Sequence, residues 1–200
     1  MRFAATPLAT SGTIALSGTA NVGSIRGETS ASILTGDINA NGTIGFASGG
    51  NGQYGALRNA GGNINLIARS GGITLTTANL PGFFLASGST GVNVGSVFAR
   101  DIALLSTNTI TAQTLLAGVV FSPTGAITGA TGRTLLANSA MLPTGAMPGS
   151  INPNALFAAT PIATGGSVSV LGAGLAGRFT SVSNGPMTGG TIVGFTTLDV

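Results

Sequence analysis

The sequence predicts an all-β fold, a right-handed parallel β-helix (β-solenoid) with short coils of about 20 residues. Three observations carry this expectation: a recurrent strand word, glycine-rich turns between its copies, and longer internal repeats. The word is Gly-x-Ile/Val-x-apolar. It appears as Gly12-Thr13-Ile14-Ala15-Leu16, Gly42-Thr43-Ile44-Gly45-Phe46 and Gly62-Asn63-Ile64-Asn65-Leu66. Gly91–Val94 and Asp101–Leu104 are variants, and Gly166–Val170 and Gly190–Val193 close the series. Apolar residues alternating with Thr, Ser or Asn give the period-two signal of a strand with one buried face. The flanking Gly, Asn and Gly-Gly pairs are turn signals.

The repeats set the expected coil. Thr114-Leu115-Leu116-Ala117 recurs as Thr134-Leu135-Leu136-Ala137, and Pro123–Ala126 recurs as Pro143–Ala146. Both pairs lie about 20 residues apart and read as one repeat unit. A longer pair joins Phe3–Gly12 to Phe157–Gly166, with a strand word after each copy. One coil cannot bury its inward Ile, Val and Leu side chains alone, whereas stacked coils bury them continuously. Equivalent Asn and Thr residues can then form ladders along the stack. The whole chain, 1–200, reads as a single solenoid segment of a longer repetitive protein. Its uncapped ends are expected to associate end to end. Residues 138–161 hold Pro143, Pro148, Pro153 and Pro161, and are expected to form a proline-rich loop or irregular coil. A short helix is conceivable only over Arg133–Met141.

Composition narrows the chemistry. Charged residues make up 6% of the 200 positions, against about 25% in typical soluble domains. Glycine occupies 34 positions, yet 43% of residues are hydrophobic, enough for a core. Lys, His, Cys and Trp are absent. That removes the usual zinc ligands, a Cys nucleophile and a Ser–His pair. The seven basic residues are all Arg and never cluster, so no nucleic-acid partner is expected. The longest apolar run, Ile110–Phe121, is too short for a membrane-spanning helix and contains Thr111, Gln113 and Thr114. Residues 1–12 carry no signal-peptide pattern, so an export signal is expected to lie outside this chain.

Two glycine motifs need weighing. Ser167–Gly177 reads as a strand followed by G-x-G-x-x-G, but the residues beyond it are β-rich, and a dinucleotide site needs a helix there. Gly50–Gly55 resembles a calcium-binding nonapeptide, but Tyr54 stands where the Asp is required. No cofactor and no metal are expected. The four carboxylates, Glu28, Asp37, Asp101 and Asp199, are far apart in sequence, and two-carboxylate glycoside chemistry needs a close pair. Asp101 is expected to accept backbone N–H bonds at a turn. Asn41-Gly42-Thr43 fits a glycosylation sequon but is expected to be a turn. No catalytic residue is assigned, and ligand-binding residues are left unassigned.

The tracts Gly62–Ala68, Gly71–Thr76, Arg100–Leu105 and Thr109–Ala112 resemble the repeats of filamentous haemagglutinin-like and autotransporter-type bacterial surface adhesins. The resemblance covers residues 12–127 and 165–198. It implies a parallel β-helix, export to the exterior of a Gram-negative outer membrane, and a passenger or structural role without catalysis. Its partners would be flanking coils of the same protein and surface glycans or proteins met through extended faces. The alternative is a carbohydrate-active β-helix enzyme or a carbohydrate-binding solenoid. A shallow groove with two carboxylates, or with Arg beside a carboxylate, would favour that alternative. An ice-binding solenoid would need regular Thr rows, which the spacing of the Thr words does not supply.

Overall fold

The computed structural model describes residues 11–121, 127–142 and 145–200. The chain is a parallel β-solenoid with roughly 19 residues per turn. Each early coil contributes a long strand and a short one. These are β1 (Ile14–Val22) with β2 (Ile25–Thr29), β3 (Ile33–Ala40) with β4 (Ile44–Ser48), and β5 (Gly52–Asn59) with β6 (Ile64–Ala68). They continue with β7 (Gly72–Asn79) and β8 (Phe83–Gly88), then β9 (Gly91–Ala99) and β10 (Asp101–Leu105). Long strands stack on long strands and short on short, all in parallel.

The long strands turn a corner midway, so each coil has three flat faces. In β3, Ile33 and Thr35 are buried, then Ile38 and Ala40. The step from 35 to 38 breaks the period of two where the chain bends at Gly36-Asp37. The corner packs tightly: a Cβ on Gly95 would land on the carbonyl oxygen of Thr76 one coil away. Inward side chains form columns through the stack, and Ile44, Ile64, Phe84 and Ile102 make one of them. Stacking places each such residue between its neighbours above and below, which is why β-branched and aromatic side chains fill these positions.

The coil that begins with β11 (Thr109–Ala117) is interrupted twice. A short antiparallel pair, β12 (Val119–Phe121) and β13 (Ile127–Ala130), leaves the stack before β14 (Arg133–Ala137) resumes it on β10. The chain then departs again and forms the helix α1 (Pro153–Ala158). Asn152 caps α1, its Oδ1 accepting from the backbone N–H of Asn154 and Ala155. β15 (Ser167–Val182) follows and pairs with β11 through its first half and β14 through its second. It thereby joins all faces into one sheet, and β16 (Met187–Asp199) adds the next layer.

Two expectations need correcting. Arg133–Ala137 is strand, not helix, because Thr134 and Leu136 fill the inward column between Ile102 and Leu104 on one side and Phe179 and Ser181 on the other. Coils of about 20 residues are found, but the Thr-Leu-Leu-Ala match does not mark successive coils. Leu115 stacks on Val97, while Leu135 stacks on Ala103, so the two Thr-Leu-Leu-Ala words occupy different faces of one coil. Pro123–Ala126, Pro143-Thr144 and Phe3–Thr10 lie outside the described residues. The downstream partner of Phe3–Gly12 does end in register: Ile14 and Val168, which follow the two copies, belong to the same inward column.

The 138–161 segment has one short helix and no strand among its described residues, and it roofs the third face. That face, β4, β6, β8, β10 and β14, is buried on both sides apart from half-buried Ser87 and Arg133. Beneath the roof, Phe83, Leu85, Ala103, Leu105, Leu135 and Ala137 meet Leu156 of α1, with Met141, Leu142, Ile151 and Phe157 at the margin. The roof extends down to the early coils. The Asn65 amide donates to the Pro148 carbonyl at 2.7 Å, and Pro148 sits so close to Gly45 that a Cβ there would meet it at 2.9 Å.

Candidate functional site

Roofing separates the three faces chemically. The outward column of the second face is open, and over the early coils it reads Asn21, Asn39, Arg58 and Asn79. These side chains line a shallow groove of about 860 Å³. Asn39 Nδ2 donates to Asn21 Oδ1 at 2.9 Å, a rung of the amide ladder the sequence leads one to expect. Arg58 and Asp37 approach to 4.0 Å, and their side chains are 56% and 46% exposed. Asp37 Oδ1 also accepts the backbone N–H of Ala56 at 2.8 Å, which fixes its carboxylate at the corner. Above Asn79 the column continues with Phe98, 37% exposed.

Asn59 lines the same groove but serves the fold. It is buried, its Oδ1 accepts from the N–H groups of Gly61 and Gly62, and its Nδ2 donates to the Asn63 carbonyl. The groove's exposed amides therefore come from the outward column and from Asn41 at the turn after β3.

All four carboxylates of the chain face arginine. Glu28 accepts from Arg69 Nη2 at 2.6 Å, and Asp199 lies 3.6 Å from Arg178. Asp101, only 3% exposed, is held most heavily. Arg133 reaches it with its backbone N–H at 2.9 Å, Nε at 3.1 Å and Nη2 at 2.9 Å, and Arg100 Nε adds a bond at 3.2 Å. Burial alone would raise the Asp101 carboxyl. The side-chain and backbone bonds from Arg133, with the charges of Arg133 and Arg100, outweigh it and hold the group below its ordinary value. Asp101 thus accepts a backbone N–H as expected, though from a stacked coil rather than its own turn. No strand register sets one carboxylate opposite another: the partners are Thr19, Ala47, Phe83 and Thr180.

The glycine motifs fall inside the stack. Gly172–Gly177 lies within β15, which runs on through Val182, and Gly174 faces Phe179, whose ring a Cβ would meet at 2.8 Å. Gly52 and Tyr54 are packed together within β5. Among the described residues, no three His, Cys, Asp or Glu side chains gather as a metal site, and no helix is long and apolar enough to cross a membrane. The outward column of the first face reads Leu34, Gln53, Thr74, Asn93 and Thr111, which is not a Thr row.

The Asn–Arg column is absent from the sequence reading because its members share no strand word. Their spacing becomes meaningful only once the coil length at each level is known. In comparisons with known proteins, no family model, no curated protein and no solved structure matches the chain.

Proposed function

We propose that this solenoid is a non-catalytic passenger or structural segment of a secreted surface protein of the adhesin type, displayed outside a Gram-negative outer membrane. The observation that carries the reading is the use made of the carboxylates. Each is engaged with arginine, and the most buried, Asp101, ties coils together through Arg133, which also reaches Asn154 of the roof. Acid–base chemistry on sugars needs two carboxylates about a substrate's width apart, and here no strand pairing sets one beside another. What the chain offers instead is a rigid rod with long, water-facing columns, suited to display and contact.

The test is cellular. Antibodies raised against the purified chain should label intact source cells, and brief external protease should remove the label. Labelling that requires permeabilised cells would overturn the reading. The rival enzyme reading has one feature in its favour, Arg58 beside Asp37. Release of reducing ends from a polysaccharide, abolished by Asp37→Asn, would establish it over ours.

A further inference from the structure

We infer that the open groove of the second face binds an extended, neutral oligosaccharide laid along the solenoid axis, with Asn21, Asn39, Arg58 and Asn79 as its hydrogen-bonding floor and Phe98 as a stacking platform at one end. The inference deepens the display reading and rests on it only for where such a glycan is met.

Four features select this ligand class. The column presents an amide or a guanidinium at each of four successive coils, about 4.8 Å apart by strand spacing, a step comparable to one β-linked pyranose. Each Asn carries both donor and acceptor, the complement of a sugar hydroxyl, and Arg58 adds a fork of donors suited to adjacent hydroxyls. The Asn39–Asn21 bond uses one donor and one acceptor and leaves the other amide atoms facing the groove. Phe98, exposed above Asn79, offers an apolar ring to the C–H face of a sugar.

Charge and backbone weigh against the main rivals. Arg58 is balanced by Asp37 at 4.0 Å, so the groove has no uncompensated cation for a phosphate or uronate. A peptide strand would seek an open sheet edge. Under the middle of the groove the strands pair on both sides, β3 between β1 and β5 and β5 between β3 and β7, while β1, which carries Asn21, ends the described sheet. Over β3 and β5 the side chains are what the groove offers, and they suit polyols.

The experiment is titration calorimetry of the purified full chain with cellohexaose, laminarihexaose, chitohexaose, xylohexaose and mannohexaose. At least one should bind saturably. Asn39→Ala and Arg58→Ala should each weaken it about tenfold, as loss of one or two buried-on-binding hydrogen bonds does. Asn93→Ala, on the outward column of the first face, should bind like the parent. Circular dichroism establishes that each variant is folded, and Asn79→Ala replaces Arg58→Ala if the loss of Arg58 disturbs Asp37. Binding to none of the five, equal binding by Asn39→Ala, or binding confined to anionic oligomers such as hexagalacturonate would overturn the proposal. Cell-surface labelling is independent of all these outcomes, so failure here leaves the display reading to its own test.

Discussion

The second and third faces of the solenoid are both made of parallel ladders and close the same core, yet their outer surfaces have opposite characters. The outer column of the second face reads Asn21, Asn39, Arg58, Asn79 and is wet. That of the third reads Gly45, Asn65, Leu85, Ala103, Leu135 and is dry. The difference is a single covering segment. Strand alternation is therefore a statement about what lies outside the strand, and it lapses where the chain roofs itself. A second lesson concerns polar groups. On the wet face amides can be left to water, whereas under the roof the Glu28 and Asp101 carboxylates and Asn65 Nδ2 each have a partner within 2.9 Å, with Asn65 Oδ1 left without one.

The sharpest test of that contrast puts one charge on each face. Leu105→Asp buries a carboxylate between the third face and the roof, where Leu105 is 1% exposed. It should cost about 3–5 kcal/mol in urea unfolding, or detach the roof and expose apolar surface to a dye such as ANS. Asn39→Asp on the second face should change stability by no more than about 0.5 kcal/mol. Similar costs for both would mean that the two faces do not differ as described.

A smaller effect is expected at the polar anchor. Arg133 bridges Asp101 to the roof, its Nη2 donating to Asn154 Oδ1 at 3.1 Å while its guanidinium lies 4.3 Å from the centre of the Phe157 ring. Asp101→Asn leaves Arg133 without its anion and should cost about 3 kcal/mol. The pH dependence follows from the lowered carboxyl. The folded state holds the proton less tightly than the unfolded chain, whose value is near 3.8. The stabilisation is thus complete above that value and lost as pH falls through the lower folded value. Acid unfolding below about pH 4 should be steeper for the parent than for Asp101→Asn.

Much of this architecture is legible in the sequence, and what is hidden is hidden for identifiable reasons. The words around Ile44-Gly45-Phe46 and Ile64-Asn65-Leu66 point to inward columns, and those residues do stack in register. Thr-Leu-Leu-Ala misleads because a tetrad with two adjacent leucines suits more than one face, and nothing local says which corner it follows. The roof has no period of its own to detect. Its signal lies in its substrate: Phe83-Phe84-Leu85-Ala86 and Ile102-Ala103-Leu104-Leu105 are continuous apolar runs, the mark of strands covered on both sides. The groove column stays invisible because Asn21, Asn39, Arg58 and Asn79 belong to coils of unequal length.

Some covered polar atoms have no hydrogen-bond partner, Asn65 Oδ1 and the hydroxyls of Tyr54, Thr134 and Ser181 among them, and Tyr54 gives the smallest prediction. Tyr54, the only tyrosine, points into the shared core, stacked on Phe46 with ring centroids 5.6 Å apart. Its hydroxyl, and that of Thr35 next to it in the column, have no hydrogen-bond partner. Burial pushes the Tyr54 phenol far above its ordinary value of 10.0. Tyr54→Phe removes an unsatisfied group and keeps the ring, so it should be neutral or stabilising by up to about 1 kcal/mol, opposite in sign to Asp101→Asn. The alkaline limb should change as well. A raised phenol lends stability that is complete below the unfolded value near 10 and declines as pH rises above it, because the unfolded chain ionises first. The parent should therefore weaken above about pH 10, with tyrosinate absorbance appearing only as it unfolds, while Tyr54→Phe should show no such decline from this group. A parent that titrates near pH 10 while still folded would mean that the phenol reaches water.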